Sequence, residues 1–577
     1  MSHLKALHTA TTLSDLAKIL GVKPAGLSYV LYKKGPAANY VQFTIPKRFG
    51  GTRSIAAPTD PLKMIQKRLS NVLQNCAEEI NAANQFKAQI AHGFVRKRSI
   101  VTNAEAHRRR RYVFNVDLED FFGTINFGRV RGFFIKDRHF ALPAPVATVI
   151  AQIVCFNNSL PQGSPCSPVV SNLIGHVLDV HLVRIAKREG CTYTRYADDL
   201  TFSTNKPLFP TSIAVPIAGR PNAWQPGSRL AHSIGKCGFS VNPAKTRMQY
   251  RDSRQEVTGL VVNQKINVRH EYRHTVRAMV NRLVKTGAFQ HTRYAIDSSG
   301  ARIRQDLPGT PEELRGMLSF IDSVDRYNKS LDTDDDPAKE SAKLSSKESL
   351  YRRFLLFNEF YAAQRPILMC EGHTDNVYLV HAIRSLAAAF PTLATVNSDG
   401  TIKLNVRLLK YSGHGVGRLL GISGGSANLA KFIWLYEKSR KTFSAPGMQQ
   451  PVILVIDNDN GAVPVHKSVS NITGKKPSGT EPSIHVSGNL YVVPTPLLPG
   501  ATQSMVEDFF DSATKSKVIG GKTFDPTSNT DTASQYGKKV FAHKVVRANA
   551  DTIDFSGFIA LLSNIRDVID AHGKGDP

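Results

Sequence analysis

Asp198 and Asp199 stand side by side between two runs of β-prone residues, TYTRY and LTFST. That pattern predicts a hairpin with two acids at its tip. A third acid, Asp117, closes YVFNVD. There Tyr112, Phe114 and Val116 alternate with Val113, Asn115 and Asp117 at strand period, so Asp117 is expected to end a strand on its less apolar face. Three carboxylates from two strands can hold two Mg2+ ions about 4 Å apart, one activating a hydroxyl and one steadying a leaving pyrophosphate. Phosphoryl transfer needs little beyond such positioning. Taken alone, an Asp pair is more often a plain turn and Asp117 a capping acid.

A second constellation lies in the C-terminal half. PILMCE is an apolar run ending in Glu371, followed by Gly372, which would let the chain turn sharply past the acid. VILVIDND is another, ending in Asp457 and Asp459. Acids at the C-terminal ends of neighbouring parallel strands converge where α/β sheets place their ligands, and a Glu with a D-x-D pair suits Mg2+. Glu507 and Asp508 in MVEDFF resemble an additional acidic pair of nucleases of the overcoming-lysogenization-defect type, although surface acids are common. Gly424 and Gly425 in ISGGSANLAKF suit either a backbone approach to phosphate or, more simply, a turn.

The elements that must carry these acids set the domain plan. A chain of 577 residues is too long for one core. Residues 11–32 have helical apolar spacing broken by Gly21 and Pro24, which predicts two short packing helices, with a helix-turn-helix as the rarer alternative. Short β-rich runs alternate with amphipathic stretches from Tyr40 to Arg254, and a basic helical pattern follows from Glu271 to Phe320. The stretch 322–350, with DTDDDPAKESAKLSSKES at its centre, is too polar to bury a core and predicts a linker. Beyond it, strands ending in acids alternate with helices such as NVYLVHAIRSLAAAF, the rhythm of an α/β domain.

The net charge of +28 points to a polyanionic partner through phosphate neutralisation. The six cysteines lie far apart with no C-x-x-C pair, so reduced thiols are expected, with neither disulfides nor zinc. No apolar run is expected to reach the ~18 residues of a membrane span, and a cytoplasmic chain without a membrane partner is the expectation.

In chain order, FNVDLEDFF (114–122), LPQGSPCSP (160–168), YADD (196–199) and GFSVNPAKT (238–246) resemble the motifs of reverse transcriptases. The resemblance implies an α+β right-hand polymerase of fingers, palm and thumb, with Asp117, Asp198 and Asp199 on two Mg2+ ions. It implies that Gln162 and Gly163 contact the incoming dNTP, that Arg53 in GGTRSIAAP grips the triphosphate, and that Phe122 excludes a ribose 2′-hydroxyl. Core packing explains an aromatic at 122 equally well. Lys245 resembles the lysine thought to protonate pyrophosphate, and an ordinary solvated lysine is as common.

Two short elements resemble the retron branch. They are N-A-x-x-H at Asn103, Ala104 and His107, and V-T-G at Val257, Thr258 and Gly259. With Arg108 and Arg109 of the adjoining arginine run, they are expected to contact RNA. Retron enzymes copy a cognate structured RNA from a guanosine 2′-hydroxyl, leaving a branched RNA–DNA product, msDNA. The C-terminal half resembles the TOPRIM domain of topoisomerases, primases and overcoming-lysogenization-defect nucleases. That implies an α/β domain with a mainly parallel sheet, Glu371 as general acid or base, Asp457 and Asp459 as ligands of one or two Mg2+, and Glu507 as a further ligand.

The expected plan is a polymerase at 1–325, with fingers and palm to about 260 and a thumb at about 261–325. A linker at 326–361 and a TOPRIM effector at 362–577 follow. The effector would act as a nuclease on a nucleic acid in anti-phage defence, in a chain able to form homo-oligomers. The rivals are a group II intron-like or diversity-generating reverse transcriptase and a non-catalytic RNA-binding scaffold.

Overall fold

The computed structural model describes every residue except 1, 36, 47–50, 84–89, 297–301, 332–343, 411–414, 528–530, 532 and 575–577. The chain packs as two units. One comprises Met1–Arg273, Thr292–Gln305 and Ser323–Asp334, and the other His274–His291, Asp306–Asp322 and Asp335–Pro577.

The first unit opens with α1 (His3–Thr9), α2 (Leu13–Ile19) and α3 (Pro24–Ser28). Thr12 and Asp15 form a capping box at the start of α2, and Pro24 occupies the first turn of α3, where its missing N–H costs nothing. Leu7, Leu16 and Leu27 are wholly buried, so these are packing helices. The antiparallel hairpin β1 (Tyr40–Pro46) and β2 (Thr52–Pro58) follows, then α4 (Asp60–Ala83) and α5 (Ile100–Glu105). Helix α4 buries Leu62, Ile65, Leu69, Leu73 and Cys76 at helical spacing.

The centre of this unit is an antiparallel sheet in the order β4-β5-β3-β8. Its strands are β3 (Tyr112–Glu119), β4 (Thr192–Tyr196), β5 (Asp199–Thr204) and β8 (Ser240–Tyr250). Between β3 and β4 run α6 (Phe127–Lys136), α7 (Ala144–Val154) and α8 (Ser167–Arg188). The small hairpin β6 (Ala214–Pro216) and β7 (Trp224–Pro226) and helix α9 (Ser228–Lys236) precede β8. Helix α8 is, by length and composition, apolar enough to cross a membrane, which corrects the expectation that no stretch would be. It reads as a core helix instead, burying Val170, Ile174, Leu178 and Leu182. The short hairpin β9 (Glu256–Val257) and β10 (Leu260–Val261) turns through Thr258 (φ +46°) and Gly259 (φ +82°). Two positive φ angles are what a two-residue I′ turn requires, and they explain the glycine of V-T-G.

In the basic helical region, α10 (His270–Thr286), β11 (Gln290–Ile296), β12 (Arg302–Pro308) and α11 (Pro311–Leu331) contribute residues to both units. Helix occupies much of the stretch expected as a linker: α11 runs to Leu331 and α12 (Ser346–Leu356) starts on a capping box of Ser345 and Glu348. Helix α12 buries Tyr351, Phe354, Leu355 and Leu356, an apolar face that the polar sequence before it conceals.

The second unit is built on a five-stranded sheet in the order β16-β13-β17-β19-β18. Strands β13 (Ile367–Cys370), β16 (Arg407–Leu408), β17 (Val452–Ile456) and β19 (Leu490–Pro494) pair in parallel, and β18 (Ile484–Ser487) joins antiparallel at one edge. Strands β13 and β17 are buried throughout, which is why they read as unbroken apolar runs. Helix α13 (Asp375–Ser385) and the hairpin β14 (Ala394–Val396) and β15 (Ile402–Leu404) lie between β13 and β16. Then α14 (Val416–Leu420) and α15 (Ser426–Arg440) lead to β17, and α16 (Val463–Thr473) to β18.

Candidate active sites

Asp117 lies on β3, the strand flanked by β5 and β8, and pairs across β3–β5 with Asp199. Cross-strand partners have Cβ atoms about 4.5–5.5 Å apart, so two carboxylates are forced together by register alone. Asp117 does not end its strand: β3 runs on to Glu119, pairing Leu118 and Glu119 with Val241 and Ser240. The acid therefore sits inside the sheet with its carboxylate drawn to Lys245, whose Nζ donates to both oxygens at 3.0 and 2.9 Å.

Asp198 occupies the two-residue turn between Tyr196 and Asp199, after Ala197 at φ +56°. A non-glycine there costs about 1–3 kcal/mol and persists only where the surroundings over-determine it. Here the Leu118 N–H donates to the Asp198 carbonyl at 3.0 Å. Arg195 donates to the Ala197 carbonyl at 3.2 Å and forms a buried two-pronged bond to Asp179 at 2.8 Å on each oxygen. Gly175 is required beside it, since a Cβ would come 2.9 Å from the guanidinium carbon.

Burial and then the charges of Asp198 and Asp117 push Asp199 up to about 6. Burial and Asp117 likewise raise Asp198, against the relief given by Lys245 and Arg53. Burial lowers Lys245, but its bonds to Asp117 outweigh that and hold the ammonium above its usual value. Among the described residues no three His, Cys, Asp or Glu groups already stand close enough to enclose an ion. Repelling carboxylates do not close up without a cation, and here an ammonium takes part of its place.

Around the trio, the Ala56 N–H on β2 donates to the Gln162 carbonyl at 2.8 Å, and Gly163 holds φ +118° where a Cβ would lie 2.9 Å from the Ala56 oxygen. The 160–168 loop thus leans on the β2 strand that carries Arg53. Phe122 is half-buried, edge-on to Phe121 and to the exposed Phe94.

Three residues expected at RNA cannot touch it: Asn103, His107 and Val257 are wholly buried. Burial, with Arg110 and His92 adding, drives His107 down to about 3, so its ring is neutral. Arg109 and Gly259 are exposed, Arg108 and Thr258 half-buried, and Thr258 Oγ1 donates to the Ile100 carbonyl at the start of α5 at 3.1 Å. The two short elements, far apart in sequence, therefore abut. Nothing in the local sequence marked Thr194 and Ser203 as partners of His107, or Arg195 and Asp179 as braces of the Asp198 turn.

In the second unit Glu371 follows β13 and Asp457 follows β17, and those strands are parallel neighbours. The Ser426 N–H at the start of α15 donates to Glu371 Oε1 at 3.0 Å, and Gly425 N–H to the Glu371 carbonyl at 3.0 Å. Gly424 and Gly425, at φ +102° and +86°, thus shape a turn that delivers a helix N-terminus to Glu371. Glu371 Oε2 is buried without a partner. Gly372 has no positive φ; a Cβ there would stand a tight 3.0 Å from the Asp375 side chain, whose carboxylate accepts the Gly372 N–H at 2.7 Å.

Asp457 Oδ1 accepts the Val506 N–H at 3.0 Å, which brings the segment carrying Glu507 to the strand end. Glu507 is 1% exposed, bonded to Lys538 Nζ at 3.0 Å, with Oε1 unpartnered. Burial, then Asp375 and Glu507, push Asp457 up to about 8, with Lys538 opposing. Burial also raises Glu371, opposed by Ser426 and reinforced by Asp459 and Asp375. Asp459 accepts the Gly461 N–H at 2.8 Å, and Asp508 is spent on the Met505 N–H at 2.8 Å. The sequence did not single out Asp375 or Lys538: one looked like a helix start and the other lies far along the chain.

Residues 45–262 match the reverse transcriptase (RNA-dependent DNA polymerase) family. The retron Mx162 reverse transcriptase of Myxococcus xanthus is 38% identical over 265 residues, 43% of this chain and 52% of that protein. The chain thus spans about half the length of that relative. The retron Mx65 reverse transcriptase of the same organism is 34% identical over 323 residues, covering 52% of this chain and 70% of the relative. The retron Ec86 reverse transcriptase of Escherichia coli is 30% identical over 331 residues, covering 56% and 85%. With its motifs gathered about one antiparallel hairpin and relatives of this kind matched over most of their length, the chain belongs to the retron reverse transcriptases.

Proposed function

We propose that the first unit is an RNA-directed DNA polymerase that copies a cognate structured RNA from a guanosine 2′-hydroxyl into msDNA. The observation that carries this reading is the facing of Asp117 and Asp199 across β3–β5, with Asp198 in the adjoining turn, in a chain of the retron family. Burial, with the like charges of Asp198 and Asp117, lifts Asp199 to about 6, and a divalent cation offsets both, so the donor set fits Mg2+. Bound there, Mg2+ supplies activation of the attacking hydroxyl and charge stabilisation of the leaving pyrophosphate. Asp117, Asp198 and Asp199 hold two such ions. Lys245, released from Asp117, keeps a proton on Nζ for a pyrophosphate oxygen. Gln162, Gly163 and Arg53 receive the dNTP, Phe122 bars a ribose 2′-hydroxyl, and Arg108, Arg109 and the Thr258–Gly259 turn meet the RNA.

The second unit, on this proposal, is a TOPRIM-type nuclease effector of anti-phage defence in the cytoplasm. Its support is the convergence of Glu371, Asp375, Asp457 and Glu507 at the ends of parallel strands, with two carboxylate oxygens buried and unpartnered. That donor set also fits Mg2+, with Asp459 at its margin. Glu371 would then act as the general acid or base, Oε2 being the atom that carries the proton. The test is primer extension on an RNA template with Mg2+, alongside recovery of copurifying nucleic acid and its sensitivity to RNase and DNase. A chain that extends no primer and carries no RNA–DNA hybrid would end the polymerase reading. Intact cleavage or toxicity in Glu371→Gln would end the effector reading.

A further inference from the structure

Strand β4 lies at an edge of the catalytic sheet, paired on one side with β5. On its other side, among the described residues, only Arg195 is bridged, to the segment at Ile90–His92. A hairpin's register is set by its turn and by the face it buries, and a one-residue slip would turn every side chain to the opposite face. The acids at its tip tolerate no such slip, because Asp199 must stay opposite Asp117.

Thr194 on β4 pairs with Thr201, and Ser203 on β5 pairs with Thr192, so Thr194 and Ser203 are diagonal neighbours on one face. Diagonal positions stand about 7–8 Å apart, too far for two hydroxyls to bond directly. The imidazole of His107 spans that gap, with Nδ1 2.7 Å from Ser203 Oγ and Nε2 2.8 Å from Thr194 Oγ1. Thr194 Oγ1 in turn donates to Asn103 Oδ1 at 2.7 Å. That donation sets the proton order: Thr194 oxygen accepts from Nε2–H, so Nδ1 accepts from the Ser203 hydroxyl. All four side chains are 4% exposed or less. A buried chain of this kind favours a single arrangement, because breaking it strands polar groups away from water; only Asn103 Nδ2, at its end, has no partner among the described residues.

We infer that His107 and Asn103, on and just after α5, are positioning residues for the catalytic hairpin, bolting β4 to β5 in the register that sets Asp198 and Asp199 against Asp117. The inference rests on the polymerase reading above and replaces RNA contact as the role of these two residues. Arg195 anchors the opposite face of β4 to Asp179, so the edge strand is held from both sides.

The test is steady-state DNA synthesis by the full chain on poly(rA)–oligo(dT), a template that carries no cognate structure. His107→Phe keeps the ring shape and removes both bonds; its kcat is expected to fall about 10²-fold with KM for template–primer unchanged, as for a misplaced reacting group. His107→Gln, which can both donate and accept, should recover part of the loss. Ser203→Ala, which removes one hydroxyl and leaves the ring, covers the case in which His107→Phe does not fold; its kcat should fall while its thermal midpoint drops only modestly, for the one stranded ring nitrogen. A raised KM with unchanged kcat would return these residues to nucleic-acid contact and overturn the inference. Wild-type kcat in folded Ser203→Ala would overturn it as well. If the wild-type chain extends no primer, the polymerase reading falls and takes this inference with it; if wild type extends and the variants match it, only the inference falls.

Discussion

The two carboxylate clusters meet the same electrostatic problem on different scaffolds. In the antiparallel sheet, Asp117 and Asp199 are opposed by strand register, and the compensating Lys245 side chain is 58% exposed. In the parallel sheet, strand ends bring Glu371 beside Asp457, and loop and helix residues supply Asp375 and Glu507, with a Lys538 side chain 33% exposed against Glu507 at 2%. The first site is thus assembled by its own strands and open to solvent. The second depends on distant segments and buries Asp375 and Glu507; burial with the charges of those two acids lifts Asp457 to about 8, where burial with Asp198 and Asp117 lifts Asp199 to about 6. A drier cluster of acids costs more to keep charged, and so gains more from a cation.

The largest expected effect separates the two sites outright. Asp198→Ala with Asp199→Ala should lower DNA synthesis roughly 10³-fold or more, as several kcal/mol of charge stabilisation is lost, and leave the cleavage proposed for the second unit intact. Joint loss of both activities would show the sites are not independent. Glu371→Gln is the mirror experiment: nuclease activity or toxicity should vanish while cDNA yield stays at the wild-type level, read on the same preparation.

The lysines sharpen the contrast in stability. Lys538→Met leaves Glu507 buried and unpaired and should cost about 3 kcal/mol at pH 8, while Lys245→Met, which takes a 58% exposed ammonium from Asp117, should cost less. Chemical denaturation of both variants measures this, and equal losses would remove the claimed difference in burial.

The smallest effect is a shift along the pH axis. Carboxylates whose folded pKa is raised bind more protons folded than unfolded, so without metal their contribution to stability is greatest below the usual carboxylate range and is lost as pH rises through the folded value. That loss should be complete near pH 6 for Asp199 and near pH 8 for Asp457. Stabilisation by Mg2+, followed as thermal midpoints, should therefore set in about two pH units higher for the second unit. Coincident onsets would contradict the assignment of Asp457 to the drier cluster.

The catalytic hairpin was legible because its chemistry is local: YADD carries two acids and its flanking β-prone runs carry their strands, so neighbours in sequence are neighbours in space. Glu371 and Asp457 were legible for a related reason, since buried parallel strands read as apolar runs that stop at an acid. Asp375 and Lys538 were not, because their roles arise only when separate segments pack onto the strand ends. The same limit misdirected the reading of Asn103, His107 and Val257, where short polar elements look alike whether they face RNA or the core.

By itself, the order of acids and apolar runs determined that the chain holds two sets of acids at β-strands, because alternation and run length are properties of neighbouring residues. Tertiary structure alone decided which further groups join each cluster, which way the α5 element faces, and how dry each site is. Those depend on burial and on contacts between residues distant in sequence, quantities that no local pattern encodes.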